Sequence, residues 1–335
     1  MKKKISIFIL LLLLALAAMA WFQWQNYQKF LQEPLGVSSP LTVEKGTSAY
    51  KLGKKWQQEG LVDNFYYYQL LLKMQPELRS IKAGEYQVSA DMTPSEILKL
   101  LVEGKVISYQ VSIIEGSNIF ELFKNIQSDP RLQHKLKDRQ ALKTVLGLKA
   151  DEHLEGLFFA DTYQFNKGDS DQDIYQRANQ QLAKVLEEEW QNRADNLPYK
   201  DPYEALIMAS IIEKETAVPA ERPLIAGVFV RRMQKRMLLQ TDPTIIYGLV
   251  ADPDINYDGN IRRKDITNPH PWNTYVHAGL PPSPIAMVGR EAIHAALHPA
   301  DGKALYFVAK GDGSHYFSET LAEHNRAVRK YQLKR

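Results

Sequence analysis

The sequence predicts an α+β protein carried on one N-terminal transmembrane helix, with a small α+β subdomain followed by a larger mixed α+β domain. Three observations lead there. An apolar run from Ile5 to Phe22 follows three lysines. Short alternating segments are scattered among stretches of helical spacing. The composition, 44% hydrophobic and 24% charged over 335 residues, is that of an ordinary globular chain with room for about two domains.

The apolar run is the first element. Eighteen residues at 1.5 Å each give a helix of about 27 Å, close to the roughly 30 Å hydrocarbon core of a bilayer. Lys2, Lys3 and Lys4 keep the N-terminus cytoplasmic and send the rest outward. Ala18-Met19-Ala20 also resembles a small-x-small cleavage site, so a cleaved signal peptide is the rival reading. The length of the run and the aromatic belt of Trp21, Phe22, Trp24 and Tyr27 favour a retained anchor over residues 1–24. Residues 25–40 read as a linker, because Pro34, Gly36, Ser38, Ser39 and Pro40 break regular structure.

The small subdomain covers 41–108. Leu41–Val43 and Gly84–Val88 suit strands, and Tyr50–Gln58 and Phe65–Met74 have helical spacing. Thr93-Pro94-Ser95-Glu96 starts a helix, with a Thr N-cap, Pro at the first position and Glu at N3. The larger domain covers 109–335. Asp171–Trp190 is an amphipathic helix whose Glu187-Glu188-Glu189 triplet suits a solvated face better than a metal site. Tyr203–Thr216 is apolar nearly all round and is therefore a buried helix. Pro219 or Pro223 opens a third helix, running to about Met237. Residues 241–290 are rich in Pro, Gly, Asp and Asn, and a loop region this long is usually functional. A strand at Ala304–Lys310, a turn at Gly311–Gly313 and a helix from Ser318 to Tyr331 follow. Val43–Leu52 and Ile113–Leu122 echo one another as strand, Gly-Thr/Ser turn and helix. Two units built alike and common turn chemistry used twice account for this equally.

Composition also excludes. The chain has no cysteine, so disulfides, zinc–thiolate sites, iron–sulfur clusters and a cysteine nucleophile are ruled out. A net charge of +3 argues against a dedicated nucleic-acid binder. His153, His270, His277, His294, His298, His315 and His324 show no metalloprotease spacing, Ser210 lacks a nucleophile elbow, and no phosphate-binding glycine motif is present.

The sharpest constellation is Ala209-Ser210-Ile211-Ile212-Glu213-Lys214-Glu215-Thr216. Two residues along a helix turn about 200°, so Glu213 and Glu215 point to nearly opposite sides. A carboxyl on an apolar wall has a raised pKa, as a general acid at neutral pH requires. A frayed helix end with solvated charges is the competing reading. Leu239–Gly248, Trp272–Tyr275 and Gly279–Ile285 mix amide, hydroxyl, carboxylate and aromatic groups, which suits either a carbohydrate groove or a loop held by prolines.

These segments together resemble the endolytic murein transglycosylase (YceG-like) family: ASIIEKET at 209–216, LQTDPTIIYG at 239–248, Asn273-Thr274-Tyr275 and GLPPSPI at 279–285. Glu155–Tyr163 resembles a further family segment, with Ala160 in place of the usual Pro, a departure that touches no acid or base. The likeness extends over nearly the whole chain, including the N-terminal anchor and Lys82–Tyr86. It implies a single-pass inner-membrane enzyme facing the periplasm, with a LysM-like subdomain over 41–108 and a catalytic domain over 109–335. Such enzymes cut the β-1,4 link from N-acetylmuramic acid to N-acetylglucosamine within nascent glycan strands. The muramic C6 hydroxyl closes on C1 and leaves a 1,6-anhydro end, with no water added. The resemblance puts the catalytic acid in the Glu-Lys-Glu segment, on Glu215 with Glu213 the fallback, and needs no metal or cofactor. Gln240, Asp242, Asn273 and Tyr275 are expected to orient the sugar. Peptidoglycan synthases and divisome or elongation proteins are the partners the family implies. A non-catalytic glycan-binding scaffold and a hydrolytic muramidase are the alternatives.

Overall fold

A computed structural model describes residues 2–252, 254–255 and 257–333. The chain packs as two compact units. The first holds the residues up to Tyr109 together with Asn166–Gly168; the second holds Gln110–Phe165 and the residues from Asp169 onward.

The first unit begins with α1 (Lys2–Gln32), whose residues 4–25 are all exposed. This helix is long and apolar enough to cross a membrane, with a mean hydropathy of 2.7 in its most apolar window. It also corrects the expected linker. The helix runs on through 25–32, and Tyr27, Leu35 and Val37 are buried in the unit's core, with Phe30 and Leu31 packed against it. The apolar residues Tyr27, Phe30 and Leu31 recur at helical spacing, and the breakers Pro34 and Gly36 lie only beyond Gln32.

A two-stranded antiparallel sheet follows, β1 (Leu41–Val43) against β2 (Gly84–Tyr86), with Leu41 opposite Tyr86. Between the strands lie α2 (Ala49–Gln58) and α3 (Phe65–Met74), and α4 (Pro94–Glu103) comes after them. Trp56, Tyr68, Leu71, Tyr86, Ile97 and Leu101 fill the core. Gly53 is required there, because a Cβ would overlap the Tyr68 ring. The Thr93–Glu96 start forms a full capping box, and Gly104 closes α4 in the left-handed region at φ 75°.

The chain passes into the second unit within β3 (Ser108–Ser112), which pairs with β4 (Thr162–Asn166). Two short helices lie between them, α5 (Ile119–Gln127) and α6 (Arg139–Val145). The two echoing segments share their turn: Gly46 and Gly116 both have positive φ, and Ser48 and Asn118 both cap the helix that follows. Next come α7 (Asp171–Gln191), α8 (Pro202–Glu215) and α9 (Arg222–Gln234), the last preceded by a 3-10 turn over Pro219–Glu221. Residues 205–212 of α8 are all buried, so this helix is the centre of the unit. The Glu187–Glu189 triplet is not simply a solvated face. Glu189 is buried and, with Glu188, holds Arg290 at 2.7 Å from each.

The stretch 241–290 contains more helix than its composition suggests: α10 (Asp242–Ala251) and the short α11 (Arg263–Ile266). Pro243 sits in the first turn of α10, where a missing N–H costs nothing and the fixed φ starts the helix. Then come α12 (Arg290–Leu297), packed on α8, and the hairpin of β5 (Tyr306–Ala309) and β6 (His315–Ser318). Gly311 and Gly313, both at positive φ, turn the hairpin, and α13 (Leu321–Tyr331) closes the unit. The expected closing helix thus yields Ser318 to β6 and starts after the Thr320 cap.

Candidate active site

Helix α8 carries an acid to the edge of the core. Asp201 caps its start, eight consecutive buried residues fill its middle, and Thr216 turns the chain extended immediately after Glu215. The Glu215 carboxyl therefore sits at the last residue of a helix whose middle is buried. Burial raises its pKa to about 7, the neighbouring Asp242 charge adds to this, and the Thr241 hydroxyl bonded to Oε1 and the His315 ring oppose it. Such a carboxyl carries a proton in an appreciable fraction of molecules at neutral pH.

Glu215 opens on a cavity of about 470 Å³ that Arg232, Gln240, Asp242, Tyr275 and His315 also line. Two segments distant in sequence are laced together to form its wall. Thr241 N–H donates to Thr274 Oγ1 at 3.1 Å, Gln240 N–H to Thr274 O at 3.2 Å, and the Thr244 and Thr274 hydroxyls meet at 2.9 Å. Tyr275 Oη donates to Asp242 Oδ1 at 2.6 Å, which orients the carboxylate toward the cavity rim. Arg232 spans the bend before the acid's partner, donating to Leu238 O at 3.0 Å and Leu239 O at 2.8 Å, and through Nε to Leu305 O at 2.7 Å. Gln240 takes φ 53° at that bend, an unusual conformation for a residue with a side chain.

Of the residues singled out from sequence, Glu215, Gln240, Asp242 and Tyr275 thus meet in one cavity, and Asn273 does not. Asn273 is 1% exposed. Its Nδ2 donates to the carbonyls of Asp265, Ile266 and Asn268, and its Oδ1 accepts from Tyr275 N–H at 2.9 Å. Its amide is spent on folding the loop behind Tyr275. Glu213 lies on another side of α8, buried, 3.1 Å from Arg222, which also approaches Glu115 at 3.8 Å. Burial raises its pKa too, against the Arg222 charge, but it does not line the cavity that holds Glu215. Arg232, Thr241 and His315 carry no signal in sequence as site residues; Thr241 sits inside the LQTDP segment, and only its neighbours stood out.

A larger cavity, about 600 Å³, is lined by His153, Glu155, Tyr247 and Trp272 among others. Glu155 is also pushed up to about 7 by burial, but its oxygens already accept from Ile119 N–H at 3.0 Å and Gly156 N–H at 3.2 Å. That carboxyl anchors the start of α5, whereas the Glu215 carboxyl has one side-chain donor and faces open space. Among the described residues, Glu189, His294 and His298 bring donor atoms within 4.8 Å of one another. Their atoms are engaged with Arg290, with each other and with the Asn192 carbonyl, and none lines the Glu215 cavity.

The model of the YceG-like family matches residues 41–330. This chain belongs to that family. It is 30% identical over 328 residues to the endolytic murein transglycosylase of Bacillus subtilis (strain 168), covering 91% of this chain and 89% of that one. It is 24% identical to the endolytic murein transglycosylase of Streptococcus pneumoniae serotype 2 over 85% of its length, but spans only 57% of that longer protein. The 2.6 Å crystal structure of a yceG-like protein from Listeria monocytogenes superposes with a TM-score of 0.54 at 30% identity, covering 87% of this chain and 99% of that one.

Proposed function

We propose that this YceG-like chain is an endolytic murein transglycosylase, a lyase that cuts peptidoglycan glycan strands internally without adding water. The observation that carries the reading is Glu215: a protonatable carboxyl at the end of a buried helix, facing a polar cavity. A glycosidase that uses water generally sets two carboxyl groups across the bond, whereas a lyase needs one. Glu215 donates its proton to the leaving glycosidic oxygen between N-acetylmuramic acid and N-acetylglucosamine. The substrate's own N-acetyl carbonyl meets the charge at C1. The C6 hydroxyl of the muramoyl residue then closes on C1, and its proton returns to the Glu215 carboxylate, directly or through a neighbouring group. The product is a 1,6-anhydro end, and the enzyme is back in its starting state.

Gln240, Asp242 and Tyr275 line the same cavity and serve to orient the sugar; Asn273 serves by folding the loop that carries Tyr275. The first unit is read as LysM-like and as a holder of glycan. Helix α1 is read as a single-pass anchor in the cytoplasmic membrane, N-terminus inside and the remainder periplasmic, near synthases and divisome or elongation proteins. The muramidase reading draws on Asp242, a second carboxylate on the cavity, which would activate a water.

The test is cleavage of glycan strands by the full chain in detergent, with Glu215→Gln and Glu213→Gln alongside. Glu215→Gln is expected to lose cleavage by about 10²–10⁴-fold, the usual worth of a general acid, and Glu213→Gln to retain most of it. Full activity in Glu215→Gln would remove the acid from this site.

A further inference from the structure

Among the described residues, His315 and His324 both line the Glu215 cavity, and of the two it is His315 that has a carboxylate behind it. It opens β6, and the buried Glu221 holds it twice: Glu221 Oε1 accepts from His315 N–H at 2.8 Å, and Oε2 from Nδ1 at 2.7 Å. A carboxylate on Nδ1 selects the tautomer: in the neutral ring the proton lies on Nδ1 and the lone pair on Nε2. The Phe307 ring stands edge-on at 5.4 Å and sets the ring plane. No described residue bonds Nε2, which is left for the cavity. The same Glu221 oxygen accepts from Thr216 Oγ1 at 3.4 Å, and Thr216 is the residue next to Glu215. One buried carboxylate therefore ties the end of α8 to the start of β6 and sets the acid and the imidazole in register.

Such a carboxylate-backed imidazole is equipped to take a proton, and the proposed reaction has a second proton to move. After the first step Glu215 is a carboxylate with Oε1 already engaged by Thr241. We propose that His315 is a second catalytic residue of this cavity, accepting the proton of the muramoyl C6 hydroxyl at Nε2, and that Glu221 is its positioning residue. This rests on the transglycosylase reading of Glu215. The C1–O4 bond breaks as the Glu215 proton passes to O4, and the C1–O6 bond forms as the O6 proton passes to Nε2. The resulting imidazolium, paired with Glu221, gives its proton to the Glu215 carboxylate and resets both groups. No other reactant is needed.

The test uses the full chain in detergent on purified glycan strands, comparing His315→Asn, His315→Ala, Glu221→Gln and Glu215→Gln. An Asn amide can take the place of Nδ1 and keep the Glu221 bond while offering nothing at Nε2. His315→Asn should melt as the parent does, keep its KM and lose about 10²–10⁴-fold in kcat. Added imidazole should restore part of the kcat of His315→Ala, a rescue that a purely structural histidine would not give. Glu221→Gln should lower kcat with KM kept, and carries the test if the His315 variants fail to fold. A kcat within threefold of the parent in folded His315→Asn, or in folded Glu221→Gln where that variant carries the test, would overturn the proposal while leaving Glu215 standing. Undiminished cleavage by Glu215→Gln would overturn both.

Discussion

Replacing Glu215 by Gln should make the protein inactive and more stable, and the gain should depend on pH. Burial holds the folded-state pKa at about 7, against an ordinary value of 4.5. A carboxyl with a raised folded pKa keeps its proton longer in the folded chain than in the unfolded one. Its contribution to stability is intact below the unfolded value and falls as pH rises toward the folded value. A difference of that size corresponds to about 3 kcal/mol at pH 8, and to under about 1 kcal/mol at pH 5. Gln keeps the shape and still accepts from Thr241, but has no charge to desolvate. The variant should therefore gain about 3 kcal/mol over the parent at pH 8, or roughly 5–10 °C in the melting of a domain this large, with little difference at pH 5. Thermal and urea unfolding of both proteins at the two pH values measure the gap. A gap that does not change with pH would mean that Glu215 is not held in its proton-bearing state by burial.

Thr241→Val removes the hydroxyl that favours the Glu215 carboxylate, so the carboxyl should rise further and the alkaline limb of the pH–rate profile should move up by about one pH unit; an unmoved limb would refute the bond's role. Asn273→Ala leaves three carbonyls without their shared donor and should cost about 2–4 kcal/mol in unfolding experiments, with sugar affinity following only as the loop loosens. Gly53→Ala forces a methyl into the Tyr68 ring and should destabilise the first unit by about 1–3 kcal/mol, read from its own melting transition, without slowing the chemistry.

What could be read from sequence was whatever local chemistry decides. The capping box at Thr93–Glu96, the apolar faces of α7 and α8, and the opposed directions of Glu213 and Glu215 all follow from helical period and backbone hydrogen bonding. Helix α10 was hidden because Pro243 reads as a breaker until it is seen in the first turn, and because polar residues gather at the helix start where they cap it. The extension of α1 to Gln32 was hidden by the polar residues between Tyr27 and Phe30, whose apolar neighbours pack on the first unit. Residue type alone does not say whether an amide faces a sugar or a carbonyl, and so Asn273 and Gln240 read alike until their partners are seen. The pairing of His315 with Glu221 crosses 94 residues and leaves no spacing pattern to find.

The central claim is that Glu215 acts alone as the acid and that no water enters the product. Mass spectrometry of the glycan fragments released by the full chain tests it most directly. The account predicts internal fragments ending in 1,6-anhydro-muramic acid, one water lighter than hydrolysis products, and their disappearance in Glu215→Gln. Reducing ends that take up labelled oxygen from solvent would contradict it and assign Asp242 the activation of a water.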